Sequence, residues 1–195
     1  MTARLTNIDL STVNIINTVS ETEIASLVSP AYGLASGRAV RLTVAGQLVN
    51  NVGTSQTVTF RVKLEGTTIL TSPAYSLSTS ANNRMWQVEA LVAAEADAIQ
   101  RLSGTIHISA AGTTTLLAGG EYGIGYGTGT KDGTGTIDVS VTAQLGSAST
   151  SLTLTKRMAL LEQLGQVSGW TATDIPASKA VTVAVRVPQV SPVIT

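Results

Sequence analysis

The chain has 195 residues, no cysteine, and 12 Lys plus Arg against 12 Asp plus Glu. That length suffices for one large domain with a full core, the missing thiols exclude disulfides and thiolate metal sites, and the absent basic excess argues against nucleic acid as a partner. Only 12% of the residues are charged while Ser and Thr supply about a quarter, so the surface is polar through hydroxyls, which suits a subunit packed among neighbours better than a free monomer.

The first residues, Met1-Thr-Ala-Arg-Leu-Thr6, precede no apolar run, so no secretory signal is expected, and no stretch approaches the ~18 apolar residues of a membrane span. Residues 1–20 mix Ile8, Leu10, Val13, Ile15 and Ile16 with Asn and Thr in no clear period and are expected to form an extended arm or first strand. Thr22 to Val28 reads as a short strand closed by Ser29-Pro30, with loop to Gly37. From Val40 the alternation is strong: Val40, Leu42, Val44 and Leu48, with Gly46 in phase, oppose Arg41, Thr43, Ala45 and Gln47. A strand flips its side chains at every residue, so this pattern predicts a sheet with one face buried. Asn50-Asn51-Val52-Gly53 is turn chemistry. Val58, Phe60, Val62 and Leu64 repeat the alternation, and Glu65-Gly66 makes a hairpin turn into Thr67 to Leu70.

Trp86, Val88, Ala90 and Val92 alternate as a strand, although Ala93-Ala94-Glu95-Ala96 also suits a helix; the strand is expected to run to about Val92. Arg101 to Ala110 and Thr136 to Leu145 follow as strands. Leu152, Leu154, Met158 and Leu160 form the next, whose end, Met158 to Leu164, also suits a helix. Beyond Gly165 the prolines Pro176, Pro188 and Pro192 punctuate a tail with one alternating run, Val181 to Val187. Proline avoids central strands, so this tail is expected to be an appended arm. The short strands spaced by turns predict an all-β, jelly-roll-like antiparallel β-sandwich with extended N- and C-terminal arms. Its divisions are 1–20 (arm), 21–164 (sandwich) and 165–195 (arm with one added strand).

Side chains with catalytic potential are sparse. The single histidine, His107, sits between Ile106 and Ile108 on the polar face of a strand, with no nearby nucleophile or orienting carboxylate. One His and no Cys cannot build a zinc site, and Asp132 and Asp138 are too sparse for a calcium or magnesium site. The carboxylates Glu65, Glu89, Glu95, Asp97, Glu121, Asp132, Asp138 and Glu162 fall at turns and polar faces rather than as a hydrolytic pair. No catalytic, cofactor or metal residue is therefore assigned, and no enzyme activity is expected. Residues 119–135 hold eight glycines in 17 positions but match neither the phosphate-binding loop nor the dinucleotide fingerprint. They read as a flexible loop or extended ribbon, with Tyr122 and Tyr126 as candidate contact anchors. Trp86 is in phase with the core set and reads as core; Trp170 reads as a buried contact with the body or a neighbour.

Val40-Arg-Leu-Thr-Val-Ala-Gly46 with Asn50-Asn51, Val58-Thr-Phe-Arg-Val-Lys-Leu-Glu-Gly66-Thr-Thr-Ile69, Asn83-Arg-Met-Trp86 with Val88-Glu89, Ile99-Gln-Arg-Leu-Ser-Gly104 and Ile137-Asp-Val-Ser-Val141 together resemble a recurrent type of virion structural protein of tailed bacteriophages. The resemblance covers about two thirds of the chain and rests on structural motifs. It implies a jelly-roll module, usually trimeric, serving as capsid decoration (cement) protein, head fibre, or tail or receptor-binding part. The expectation that follows is a homotrimeric cement protein on the virion head, bridging subunits of the major capsid protein through its arms. No nucleic acid, membrane, small-molecule substrate or cofactor is expected. The expected interface residues are Ile8, Leu10, Ile15, Ile16, Tyr122, Tyr126, Trp170, Val187, Val190, Val193 and Ile194. The alternative is a carbohydrate- or receptor-binding module of a tail or head fibre.

Overall fold

A computed structural model describes residues 3–112 and 120–164. Among them there are strands and turns but no α-helix: β1 (Ala3–Asp9), β2 (Val13–Ile16), β3 (Thr22–Ser29), β4 (Ala39–Asn50), β5 (Gln56–Leu64), β6 (Thr67–Thr71), β7 (Tyr75–Leu77), β8 (Ser80–Ala96), β9 (Ile99–Ser109), β10 (Gly120–Gly129), β11 (Ile137–Leu145) and β12 (Leu152–Leu164). They form an antiparallel β-sandwich. The larger sheet runs β1-β12-β4-β8-β9-β10, with β2 continuing the β1 edge along β12; the smaller runs β3-β11-β5-β6, with β7 also on β5. The chain passes from one sheet to the other at β2–β3, β3–β4, β4–β5, β7–β8, β10–β11 and β11–β12.

The alternation that defines β4 and β5 decides which faces meet. Val40, Leu42, Val44 and Leu48 from the larger sheet and Val58, Phe60, Val62 and Leu64 from the smaller are buried against one another. Trp86 of β8 joins them 2% exposed, its ring 5.2 Å from that of Phe60 and its indole N–H donating to the Gln47 carbonyl at 3.0 Å. An indole buried to this depth needs such an acceptor. Glu65 and Gly66 turn the β5–β6 hairpin with φ of 47° and 70°, the left-handed pair that a two-residue turn requires.

The helical alternatives lose to packing. β8 stays extended to Ala96 because Ala90, Val92 and Ala94 continue the inward set begun by Trp86 and Val88, and a helix there would break that stripe. β12 likewise remains a strand to Leu164, but its pairing with β4 shifts between Lys156 and Met158. This bulge changes the inward set from Leu152 and Leu154 to Ala159 and Leu161 and leaves Met158 on the outside.

Of the two expected readings of the N-terminal residues, arm or first strand, the structure shows strand. β1 pairs with the second half of β12 and β2 with its first half, so residues 3–16 complete an edge of the chain's own sheet. Glu21 fixes the next stretch to the outside of the smaller sheet, through ion pairs to Lys63 and Arg61 and a hydrogen bond from Thr142. The Lys63 and Thr142 hydrogen bonds hold its carboxyl below the usual glutamate range.

The turn after β4 is held by a buried side chain. Asn50 donates to the carbonyls of Thr54 at 3.0 Å and Leu77 at 2.8 Å, and accepts from the Val52 N–H at 3.2 Å. Asn50→Ala leaves these groups unsatisfied at a buried site and is expected to cost about 2 kcal/mol, read as a lower urea midpoint with an unchanged slope.

Candidate interaction surface

β10 forms one edge of the larger sheet, paired with β9 on one side and, among the described residues, with no strand on the other. Its sequence, Gly-Glu-Tyr-Gly-Ile-Gly-Tyr-Gly-Thr-Gly, alternates glycine with larger side chains, and the strand sorts them by face. Gly123, Gly127 and Gly129 face the smaller sheet. A Cβ on Gly123 would stand 2.0 Å from the Tyr75 hydroxyl, one on Gly127 2.7 Å from Ile69, and one on Gly129 2.8 Å from Leu64. The glycines thus let this edge close onto β6 and β7 within a distance that no side chain permits. Within the segment read as a loop or ribbon, residues 120–129 form a strand, and their glycine period is a packing device.

The opposite face carries Tyr122, Ile124 and Tyr126, which are 56%, 72% and 65% exposed. His107 of β9 meets the Tyr122 ring edge-on at 4.5 Å, and Arg101 donates to Thr128 at 3.1 Å. Exposed edge strands are normally blunted by several charges, proline or bulges. Within β10 there is one charge, Glu121, and no proline, and its pairing with β9 has no register shift. The edge therefore offers a row of backbone donors and acceptors beside an apolar stripe, the arrangement used when a partner adds a strand or lies against aromatic side chains.

The opposite edge carries the N-terminal candidates. Ile8, Leu10 and Ile16 are exposed, whereas Ile15 is 1% exposed. Ile15 belongs to the chain's own core, because strand alternation in β2 turns it inward while Asn14 and Ile16 face out. Trp170, Val187, Val190, Val193 and Ile194 lie outside the described residues. Ile124, the most exposed of the β10 stripe, was not among the sequence candidates, although its spacing of two from both tyrosines marks the same face.

The acidic residues take structural roles: Glu162 bridges to Arg41 at 3.0 Å, Glu95 pairs with Arg101, Asp97 accepts from the Ser36 N–H, Asp132 closes a turn on Thr134, Asp138 accepts from Ser26 and Glu65 accepts from the Asp138 N–H. Among the described residues no group of three or more His, Cys, Asp or Glu gathers around a point that would hold a metal ion. Tyr75 lines an apolar cleft together with Phe60, Leu70, Pro73, Ile106 and Gly123. Burial, with a smaller contribution from Glu121, pushes its phenol above the ordinary tyrosine value. Comparison with protein-family models, with curated proteins and with solved structures finds no match.

Proposed function

We propose that the chain is a structural subunit of a tailed-phage virion, a capsid cement protein that assembles as a homotrimer and bridges subunits of the major capsid protein. The supporting observation is the β10 edge: a regular strand with one charge, whose outer face carries Tyr122, Ile124 and Tyr126. An edge so little protected against pairing suits a protein whose working state covers it. The sequence resemblance to phage virion proteins and the zero net charge point the same way.

The finer fold reading belongs with this proposal. With β7, β9 and β10 set aside, the strand orders β1/β2-β12-β4-β8 and β3-β11-β5-β6, linked by repeated crossing between sheets, support a jelly-roll reading. β9 and β10 then extend the first of those sheets and carry the exposed stripe at its rim.

The reading is tested by locating the protein in images of assembled particles. Density at three-fold positions on the head supports cement; density at the tail tip replaces it with the receptor-binding alternative, for which the exposed Tyr122 and Tyr126 would be the stacking platform, Trp86 being buried. Ile124→Lys adds charge at a solvent-facing position, so it is expected to change folding stability by less than about 0.5 kcal/mol while weakening trimer or capsid association by about tenfold or more. Unchanged association in sedimentation and capsid-binding assays removes the β10 stripe as the contact.

A further inference from the structure

The outer side of β10 is paired with no described strand, and residues 165–195 lie outside the described residues. Their sequence contains one alternating run, Val181-Thr-Val-Ala-Val-Arg-Val187, closed by Pro188. β-Branched residues at a period of two suit a strand.

The two sequences complement each other in a single register. Antiparallel pairing that sets Arg186 opposite Glu121 also sets Val185 opposite Tyr122, Val183 opposite Ile124 and Val181 opposite Tyr126. The valines then extend the exposed apolar stripe, and apolar and opposite-charge pairs are the ones that stabilise a ladder. Ala184, Thr182 and Ala180 fall beside Gly123, Gly125 and Gly127, small residues beside glycines. Glu121 has no ion-pair partner among the described residues and gains one in Arg186. Val187 meets Gly120, the first residue of β10, so Pro188 lies past one end of the strand and Pro176 past the other. No proline enters the ladder. A shift of one residue turns the valines to the glycine face, and parallel pairing from the same ion pair brings Pro188 opposite Gly123.

The path of the chain fits this register. Leu164, Ala39, Ala93, Arg101 and Thr128 form one row across the larger sheet, so β12 and β10 end on the same side. A strand antiparallel to β10 begins on that side, where Val181 meets Tyr126. From β12 to a strand outside β10 is five spacings of about 4.8 Å, or about 24 Å, and residues 165–180 extend to about 50 Å. The opposite edge is broken between Asp9 and Val13 and bulged between Leu5 and Asn7, so it offers a straight run no continuous ladder.

We propose that residues 181–187 add to the outer edge of β10 of the same chain, antiparallel and in this register. Main-chain hydrogen bonds supply the affinity of such an added strand, and the alternating side chains supply its register. The inference does not rest on the assembly role: the apolar stripe still faces outward, widened by three valines.

The chain has no cysteine, so engineered thiol pairs report without background. Ile124→Cys with Val183→Cys sets two thiols directly opposite, within the Cα separation of about 4.4–6.8 Å that a disulfide needs. Ile124→Cys with Val187→Cys is four residues, about 13 Å, out of register. On oxidation of the full chain at low concentration, the first pair is expected to close within one molecule about tenfold faster than the second, read on non-reducing gels. Equal rates, or no closure, overturn the proposal. A disulfide-linked dimer formed instead also overturns it and assigns the edge to a second copy. Hydrogen exchange on cysteine-free protein is the second readout. Of two successive strand amides one faces the neighbour, so Thr182→Pro with Val183→Pro removes a ladder bond in either phase. Alternate β10 amides are expected to exchange about tenfold faster in this variant than in wild type; unchanged exchange overturns the proposal. Neither result alters where particle images place the protein, which decides the assembly reading separately.

Discussion

Gly46→Ala is expected to cost about 4 kcal/mol, at the upper end of what single substitutions do. Gly46 occupies an inward position of β4, between Val44 and Leu48, yet contributes no side chain to the core. Its place is taken from the next strand: Trp86 pairs with Gly46 across the β4–β8 ladder, and a Cβ built on Gly46 would stand 2.8 Å from its Cζ2. The more severe conflict is with main chain, since the same Cβ would lie 1.9 Å from the Thr155 carbonyl oxygen. Thr155 belongs to β12, next to the bulge between Lys156 and Met158, and three adjacent strands would have to separate to admit one methyl group. Overpacking a core normally costs about 1–3 kcal/mol because side chains can rotate away; a carbonyl fixed in a ladder cannot. Urea denaturation followed by tryptophan fluorescence measures the effect. Trimming the ring with Trp86→Phe in the Gly46→Ala background is expected to recover little, because the carbonyl contact persists. A midpoint for Gly46→Ala near that of wild type would show that β12 yields there.

The same residues show how much of this structure could be read in advance. Val40 to Leu48 and Val58 to Leu64 alternate, so β4 and β5 follow from period alone, and Trp86 could be placed in the core by its phase. That Gly46 was in phase could be read; that its emptiness serves Trp86 could not, since the contact joins residues 40 apart. Lys156 and Arg84 show the same limit. Both sit at inward positions, and periodicity has no means of telling a buried charge with an ion-pair partner from one held only by neutral groups. The bulge in β12 was invisible because it shifts the phase in mid-strand, which made Met158 look like core. β10 was hardest, for glycine has no hydropathy with which to alternate; the signal lay in Tyr122, Ile124 and Tyr126, spaced by two. The N-terminal stretch could be read only as an arm or first strand, because its poor periodicity reflects an edge strand broken in two, with Ile15 turned fully inward from β2. The candidate surface was thus half legible. Its tyrosines were named, but their exposure depends on the sheet edge that places them.

Asp9→Ala is expected to destabilise the protein by about 2–3 kcal/mol, whereas Lys156→Met at the other end of the same ion pair is expected to be neutral or stabilising. Lys156 faces inward from β12 with its side chain 0% exposed, while its partner Asp9 is 31% exposed. The stem therefore runs through the core and the ammonium emerges at the junction between β1 and β2, where Asp9 and the Ser11 hydroxyl receive it. Removing Asp9 leaves the charge buried with one neutral partner; replacing Lys156 by Met removes the charge and keeps the stem. The partial exposure of Asp9 sets the cost below the ~3–5 kcal/mol of a fully buried pair. The pair also fixes an acid dependence. The hydrogen bonds from Lys156 and then Ser11 lower the Asp9 pKa from 3.8 to about 2 in the folded protein. A carboxyl whose folded pKa is depressed stabilises above its unfolded pKa, and that contribution is lost as pH falls through the folded value. Stability from this pair is therefore complete above about pH 5 and drains away toward pH 2, freeing β1 and β2 from β12. Lys156→Met removes the main cause of the depression, so its stability is expected to fall less steeply over the same range. Acid titrations of wild type and Lys156→Met with equal slopes between pH 5 and 2 would show that the pair does not hold the N-terminal strands.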